Sequence, residues 1–424
     1  MKKVLFAMLM IGLALNLSAQ SPALMPMPSE LKVSDGKFRP DNSLNVAVFA
    51  DAKDEVLYAA VNRSFQDLNR RTGLLFRQQR ITPADKRNDA SFRITVSKRT
   101  EPIIGGDESY ALDVSNAGIA LIAMTTQGAL HGLETVKQLL QSDSLGYFFP
   151  SVQIQDEPRF AWRGLMLDVA RHFLPMDVVL RNIDAMATVK LNVLHLHLSD
   201  DEGFRVESKV LPLLHQKGSN GEYFTQVQIR EIIAYARERG IIVYPEFDLP
   251  GHSRSWFAGY PELASAPGPY QPGPRYEVDP SSEKKINIAS ILSSPSPTID
   301  PTKETTYAFL DKLFREMAGL FPSPYLHIGA DENNGVAWKN NPAIMAWMKE
   351  KKIENVQALQ AYFVKRCYDI LKKTGKTMVG WEELYAPGLA KDVIVQKWLT
   401  DNPMMKGHGT PAEIAKQGNR VLVS

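Results

Sequence analysis

Beyond Phe160, short apolar segments alternate with longer amphipathic ones, and no other feature of the sequence restricts the fold as strongly. The apolar segments are predicted strands, and the amphipathic segments, with a period near 3.6 residues, are predicted helices. Strands that alternate with helices form a parallel sheet covered by helices. The predicted strands are residues 164–169, 192–198, 241–247, 325–329, 377–381, 393–398 and 420–423, and the predicted helices are residues 179–188, 229–239, 306–320, 343–351 and 358–373.

Polar side chains follow the predicted strands at their C-terminal ends, which is where a (β/α)8 TIM barrel carries its active site. The predicted fold class is therefore α/β, a (β/α)8 TIM barrel over residues 157–424, with the C-terminal eighth strand missing from the sequence. Residues 20–150 have a different pattern, which indicates a small α+β domain before the barrel. Its predicted strands are residues 44–49, 92–96, 110–114 and 119–123, with a hairpin turn at 116–118, and its predicted helices are residues 55–70 and 128–141.

The first residues have the order of a secretory signal peptide. Lys2 and Lys3 precede an apolar run that ends at Leu17, and small residues follow. This order predicts a signal peptide over residues 1–19, with cleavage after Ala19. The apolar run is shorter than the roughly 20 residues of a membrane span. We therefore expect an exported protein without a membrane span, located in the periplasm, on the outer surface or outside the cell.

Charge and cysteine content exclude some classes of partner and chemistry. The chain has 49 basic and 47 acidic side chains, and basic runs interleaved with aromatic residues are absent. Nucleic acid is therefore not the expected partner, and an uncharged or weakly charged substrate fits better. Cys367, the single cysteine, lies in a predicted helix and is expected to be a buried structural thiol.

Carboxylates, imidazoles, an arginine and tryptophans are predicted to converge at the strand ends. Charged groups that bind hydroxyls, combined with aromatic faces that stack on a sugar ring, are typical of carbohydrate sites. The residues are Asp168, Arg171, His197, Asp200, Glu246, Asp248, His252, Asp331, Glu332, Trp381 and Trp398. We therefore expect a sugar-binding site at this edge.

Two local patterns allow more than one interpretation. Asp331 and Glu332 either begin a loop or form a catalytic pair, because neighbouring carboxylates in a cleft raise one another's pKa. His195 and His197 point to the same side of a strand, so they either bind a metal or pack within the barrel. The sequence offers no further acid-plus-histidine set that completes a metal site, so neither a metal nor a cofactor is expected.

Several longer motifs resemble those of the family 20 glycoside hydrolases, the β-N-acetylhexosaminidases. The similar segments are residues 163–172 (RGLMLDVARH), 190–201 (KLNVLHLHLSDD), 246–252 (EFDLPGH), 327–332 (HIGADE) and 380–383 (GWEE). The resemblance covers the mature chain, since the family also carries a small α+β domain before its barrel. It implies a retaining, exo-acting enzyme that removes terminal β-linked N-acetylglucosamine or N-acetylgalactosamine from oligosaccharides or glycoconjugates.

The resemblance also implies roles for two acidic residues. In this family the substrate's own acetamido oxygen attacks the anomeric carbon and gives an oxazolinium ion. At the matching positions, Glu332 would protonate the leaving oxygen and later activate water. Asp331 would hold the acetamido N–H and stabilise the developing positive charge.

Further motif positions imply how the sugar is held. Arg171 matches the arginine that grips the distal hydroxyls. Asp200 and His252 match positions that support protonation of the acid, with Asp248 behind His252. Trp381 and Trp398 match walls of the N-acetyl pocket, and Ala330 stands where the family usually has a second glycine.

The motifs end before the family pattern does. The resemblance implies a tyrosine after the seventh strand, and a tryptophan and an acidic residue from the eighth. We therefore expect the sequence to be part of a longer protein, with a non-catalytic sugar-binding fragment as the alternative.

Overall fold

The structure, a computed structural model, describes residues 22–74, 90–273, 297–398 and 409–424. The predicted signal peptide, residues 1–19, lies outside these ranges. The chain divides into two compact units, one formed by Met1–Glu101 and Gly106–Arg159 and the other by Pro102–Gly105 and Phe160–Ser424. Over the described ranges, none of the helices combines the length and the hydropathy needed to cross a membrane.

In the first unit, two helices pack on a mixed seven-stranded sheet. Strands β2, β3 and β5 run parallel, whereas β1, β7, β4 and β5 pair antiparallel in that order, with β6 against β7. The elements are β1 (Glu30–Phe38), β2 (Val46–Phe49), α1 (Glu55–Thr72), β3 (Phe92–Lys98), β4 (Tyr110–Ser115), β5 (Gly118–Thr125), α2 (Thr126–Leu139), β6 (Gln141–Asp143) and β7 (Gly146–Asp156).

Local sequence signals explain the helix limits of this unit. The Asp54 carboxylate accepts the Leu57 N–H at the start of α1, which ends at Gly73 in the left-handed region, φ 70°. The Thr125 hydroxyl likewise accepts the Gly128 N–H at the start of α2. The predicted hairpin is confirmed, because β4 and β5 pair antiparallel around residues 116 and 117.

The second unit contains a parallel sheet of seven strands that pair in chain order, as the sequence predicts. They are β8 (Gly164–Asp168), β9 (Val193–His197), β12 (Ile242–Leu249), β13 (Tyr325–Gly329), β14 (Thr377–Trp381), β15 (Ile394–Lys397) and β16 (Arg420–Val423). A small hairpin of β10 (Ser199–Asp200) and β11 (Gly203–Phe204) follows β9. Strands β8 and β16 are the two edges of this curled sheet, so the structure describes an incomplete barrel.

Helices connect these strands and cover one face of the sheet. They are α3 (Met176–Thr188), α4 (Leu213–Gly218), α5 (Gln226–Arg237), α6 (Arg254–Gly259), α7 (Glu304–Leu320), α8 (Val336–Lys339), α9 (Pro342–Glu350), α10 (Val356–Lys373) and α11 (Pro411–Gln417), with short 3-10 turns at Pro261–Leu263 and Glu382–Leu384. Leu194, Leu196 and Phe247 belong to the apolar core between sheet and helices. Cys367 of α10 is fully buried in the same core, so its predicted structural role is confirmed.

The concave face of the sheet changes from apolar to polar along the strands. Side chains two residues apart point to the same face of a strand. Near the strand starts, Val193, Tyr244 and Tyr325 form a small apolar cluster with their neighbours. Two residues further along each strand, the side chain on the same face is polar: His195 follows Val193, and Glu246 follows Tyr244. The period of two therefore places polar side chains between an apolar floor and the strand ends.

Candidate active site

Glu246 lies at the centre of the candidate site because the strand register places it between two histidines. It pairs with His197 of β9 on one side and with His327 of β13 on the other. Paired residues of parallel strands point to the same face, so the three side chains share one level of the concave face. His195 precedes His197 by two residues and points the same way.

The Glu246 carboxylate is fully buried and faces four ring nitrogens. Its Oε2 atom lies 2.6 Å from His195 Nε2 and 2.9 Å from His197 Nδ1. Its Oε1 atom lies 3.3 Å from His327 Nδ1 and accepts a 2.9 Å hydrogen bond from the Trp381 indole N–H. Burial alone would raise the pKa of Glu246, but the three imidazoles hold that pKa well below its ordinary value. The carboxylate is therefore ionised.

From Glu246, acidic and imidazole groups alternate toward the strand ends. His197 Nε2 donates to Asp200 Oδ2 over 3.0 Å, and His252 Nδ1 donates to Asp200 Oδ1 over 3.0 Å. Burial alone would lower the pKa of both histidines, but the surrounding carboxylates raise it well above the ordinary value. Burial alone would raise the pKa of Asp200, but His252 and His197 hold it well below. Positive and negative charges therefore alternate along this line at neutral pH.

The predicted Asp331-Glu332 pair meets the end of this line. His252 Nε2 lies 3.4 Å from Glu332 Oε2 and 3.7 Å from Asp331 Oδ2. Asp331 is buried, and burial raises the pKa of its carboxyl. The Glu332 side chain is 32% exposed, so it can meet both a buried imidazolium and a ligand from solvent.

Asp248 lies close to both Asp331 and His252. The carboxylate at His252 Nδ1 belongs to Asp200. Burial, followed by the charge of Asp331, raises the pKa of Asp248 well above its ordinary value, which favours its protonated form. It donates a side-chain hydrogen bond that lowers the pKa of Asp331, and its Oδ1 atom accepts the Ala330 N–H over 3.2 Å. Which carboxylate binds His252 Nδ1 does not follow from spacing, because it depends on how the loop after β12 turns.

The backbone after β13 is wound into the left-handed region to present the acidic pair. Gly329, Ala330 and Glu332 have φ values of 67°, 76° and 48°. A Cβ on Gly329 would lie 1.7 Å from Asp248 Oδ1, so only glycine fits there. Ala330 adopts a conformation that glycine prefers, and its buried carbonyl accepts a 2.9 Å hydrogen bond from Gln360 Nε2.

Arg171 is held by two carboxylates at the ends of β8 and β10. Its Nη1 atom lies 2.6 Å from Asp168 Oδ2, and its Nη2 atom lies 2.7 Å from Asp200 Oδ2. Burial alone would lower the pKa of Arg171, but Asp200 and Asp168 raise it. The side chain is still 44% exposed, so the oriented guanidinium can also meet a ligand.

Trp381 and Trp398 lie on the neighbouring strand ends of β14 and β15. Their rings meet edge to face, with centroids 6.1 Å apart. Trp381 is buried and tied to Glu246, whereas Trp398 is exposed and donates its indole N–H to Glu383 over 3.2 Å. Burial, with the charge of Asp331, raises the pKa of Glu383 to about 8.

The structure thus joins Arg171, Asp200, Asp248, His252, Asp331 and Glu332 in one connected group, with Trp381 beside it and Trp398 next to Trp381. The sequence places Asp168 and Glu246 at the sugar-binding edge but indicates no specific role for either, and it does not single out Glu383. The inward series Tyr244, Glu246, Asp248 on β12 carried a usable signal, since an acidic residue at a buried inward position needs partners.

The histidine cluster bears on the metal interpretation, because Glu246 is the acidic residue that the sequence had not connected to His195 and His327. These three residues form one of the His/acid groups with ligand atoms within 4.8 Å of one another in the described ranges. Two atoms that bind the same Zn²⁺ at about 2.1 Å stand more than about 3 Å apart. The 2.6 Å between Glu246 and His195 is instead a direct contact. In addition, His327 Nδ1 already accepts the Gly329 N–H over 2.9 Å. The distances therefore fit direct contacts between side chains rather than ligands of one metal ion.

Two family models match the chain. Residues 160–424 match the model described as glycosyl hydrolase family 20, catalytic domain. Residues 24–139 match the model described as beta-acetyl hexosaminidase like. The family 20 match lies within the second compact unit. The other match lies within the first unit, except for residues 102–105, which belong to the second.

Curated relatives are similar in sequence to a large part of the chain. The chain is 40% identical over 329 residues to the beta-hexosaminidase subunit beta of Entamoeba histolytica, which covers 76% of this chain and 54% of that protein. It is 36% identical over 344 residues to the beta-hexosaminidase of Vibrio furnissii, which covers 77% of this chain and 52% of that protein. The chain therefore spans about half the length of these relatives.

Solved structures resemble the chain over most of its length. The chitobiase of Flavobacterium johnsoniae superposes with a TM-score of 0.84 at 40% identity, covering 95% of this chain and 58% of that chain. An exo beta-N-acetylglucosaminidase from Vibrio harveyi in complex with N-acetylglucosamine gives a TM-score of 0.73 at 32% identity, covering 94% and 60%.

Proposed function

Because the chain belongs to glycosyl hydrolase family 20, we propose that it is the catalytic part of an exo-acting, retaining β-N-acetylhexosaminidase. Its substrates are oligosaccharides or glycoconjugates that end in β-linked N-acetylglucosamine or N-acetylgalactosamine. The observation that carries the proposal is the position of Glu332, partly exposed and 3.4 Å from the buried His252 imidazolium, beside the buried Asp331.

The proposed first step uses the substrate's acetamido group as the nucleophile. Its oxygen bonds to the anomeric carbon as the glycosidic bond breaks, and Glu332 gives its proton to the leaving oxygen. Asp331 accepts a hydrogen bond from the acetamido N–H and stabilises the positive charge of the oxazolinium ion. The proton donated by Asp248 and the nearby His252 help the buried Asp331 carboxylate to stay ionised.

In the second step, Glu332 removes a proton from water, which attacks the anomeric carbon and opens the oxazolinium ring. Two displacements at the same carbon retain the β configuration. His252 can stabilise Glu332 in both of its protonation states during the cycle, because the other ring nitrogen of His252 is held by Asp200. A carboxylate behind an imidazole fixes its orientation and its charge.

The remaining predicted residues would recognise the sugar. Arg171, oriented by Asp168 and Asp200, presents forked N–H donors to the distal hydroxyls. Trp381 and Trp398 would form two adjoining walls of a pocket for the N-acetyl group and the ring. The seven-stranded sheet would belong to a (β/α)8 barrel, and the whole protein would be exported after cleavage at residue 19.

Release of p-nitrophenol from its N-acetyl-β-glucosaminide by the full-length gene product tests the proposal. Glu332→Gln should lower kcat by about 100- to 10,000-fold, because general acid–base catalysis is lost. Binding of a thiazoline analogue of the oxazolinium ion should persist, and Arg254→Gln, at a partly buried position outside the proposed machinery, is the control. Sugar binding by the wild type without any hydrolysis would support a non-catalytic protein instead.

A further inference from the structure

We propose that Glu246 and His197 form a buried positioning pair that holds the charge and orientation of the Asp200–His252 pair beneath Glu332. The inference rests on the proposed function and extends it to residues that touch no substrate. Through Trp381, the same carboxylate also fixes a wall of the proposed N-acetyl pocket.

The first argument is geometric continuity. The contacts from Glu246 to His197, from His197 to Asp200 and from Asp200 to His252 measure 2.9, 3.0 and 3.0 Å, and His252 lies 3.4 Å from Glu332. Both nitrogens of His197 face carboxylates, so its ring can turn only by breaking an ion pair. The position of His252 is thus set through two buried groups.

The second argument concerns burial and charge. Glu246, His197 and Asp200 are each at most 1% exposed, so water cannot stabilise their charges. A buried ion without a partner costs several kcal/mol or neutralises. His197 carries the positive charge that Glu246 and Asp200 share. Removing the Glu246 charge therefore withdraws one of the anions that keep His197 protonated.

The surroundings of the pair contain few other groups that could take over this role. Within the described part of the chain, the other carboxylates near His197 are Asp168, in register on β8, and Asp248 on β12. Asp168 is already bound to Arg171, and burial raises the pKa of Asp248 well above its ordinary value. Glu246 faces, besides His197, the two other imidazoles and the Trp381 indole described above. Burial lowers the pKa of His195 to about 4, so that ring is neutral and does not compensate.

The third argument is that Glu246 also holds Trp381. The indole N–H donates to Oε1, while Oε2 faces His197. One carboxylate therefore fixes the pocket wall and the pair behind the acid. Glu246→Gln retains an oxygen for the indole but removes the charge, so it separates the two tasks.

Leaving-group dependence provides a test that a purely structural role would not affect. In a dinitrophenyl N-acetylglucosaminide, the dinitrophenolate leaves without help from an acid. In an alkyl N-acetylglucosaminide, the leaving alkoxide oxygen needs a proton from Glu332. Glu246→Gln should reduce kcat/KM for the alkyl substrate by about 10- to 100-fold, as removal of a supporting hydrogen-bond partner does elsewhere. In the same preparation, the factor by which kcat/KM falls for the dinitrophenyl substrate should be smaller by roughly fivefold or more than the factor for the alkyl substrate, because this substrate needs less acid catalysis.

Glu382→Gln is the matched control. Glu382 is also fully buried, but its carboxylate lies 2.5 Å from Lys397, outside the proposed pair. Its substitution should change the two substrates by the same factor. An equal loss on both substrates for Glu246→Gln would overturn the inference, whereas an inactive wild type would instead overturn the proposed function.

A double-mutant cycle tests whether the two residues act as one unit. His197→Gln should also weaken hydrolysis of the alkyl substrate, and adding Glu246→Gln should cause little further loss. Losses that simply multiply would contradict the inference. If Glu246→Gln does not fold, as judged by circular dichroism, the leaving-group comparison on His197→Gln alone decides.

Discussion

At the scale of single residues, the site is organised by pairs of acids with opposite behaviour. Neighbouring histidines outweigh burial and hold the pKa values of Asp200 and Glu246 low, whereas burial and Asp331 together raise the pKa of Asp248. Identical functional groups in one cluster therefore serve as charge, as proton donor or as hydrogen-bond acceptor. The neighbouring groups, and not the residue type, decide the role of each carboxyl group.

Glu383 gives a residue-scale prediction about pH. Its folded-state pKa, raised to about 8, lies above the ordinary value, so its contribution to stability is full below about pH 4.5 and is lost as pH rises through about 8. Glu383→Gln keeps an acceptor for Trp398 but removes this titration. The fall in unfolding free energy between pH 5 and 8 should shrink by about 2–4 kcal/mol, as followed by urea titrations. Equal falls in both proteins would contradict the assignment.

At the scale of elements, the end of β13 shows how backbone conformation is matched to chemistry. Gly329→Ala would push a methyl group into Asp248, so we expect a loss of about 2–4 kcal/mol in stability and a much lower kcat. Ala330→Gly, one residue on, relieves a left-handed alanine and should change stability by less than about 1 kcal/mol. Denaturant titration compares them; similar effects would mean that the strand end tolerates a side chain.

Helix α10 provides a second test at this scale. Burial raises the pKa of the Cys367 thiol, and the side chain is fully enclosed. A thiol reagent should therefore react only when α10 leaves the sheet, at the rate of global unfolding. Rapid labelling of the native protein would show that α10 opens locally.

At the scale of the molecule, the two units have separate apolar cores. All six tryptophans belong to the second unit, so their fluorescence reports on that core alone. Circular dichroism reports on both. We expect the two signals to give different urea transitions. Coincident transitions would mean that the two cores unfold together.

The parts that sequence alone could predict are those with a strong period. All seven strands of the parallel sheet were anticipated, because each is an apolar run between helices. Strand β1 was missed since its side chains are mostly exposed and polar, and β7 since Pro150 and polar residues interrupt it. The short helices α4, α6 and α8 have too few turns to show a period.

For the site, motif positions identified the residues but not all of their contacts. The Asp331-Glu332 pair and Arg171 could be found because they follow strands directly. The partner of His252 could not, because Asp200 and Asp248 are both acidic and the choice depends on loop conformation. The cluster around Glu246 required the strand register, which a period of two does not give.

The level shared by His197, Glu246 and His327 also has a consequence for folding. If β12 slipped by one residue against its neighbours, Phe247 would face the imidazoles and the Glu246 charge would enter the apolar layer under the helices. A slip of two would restore the faces but separate the charges from their partners. Misaligned sheets are therefore penalised by unpaired buried ions, and the ionic cluster selects the correct strand alignment during assembly.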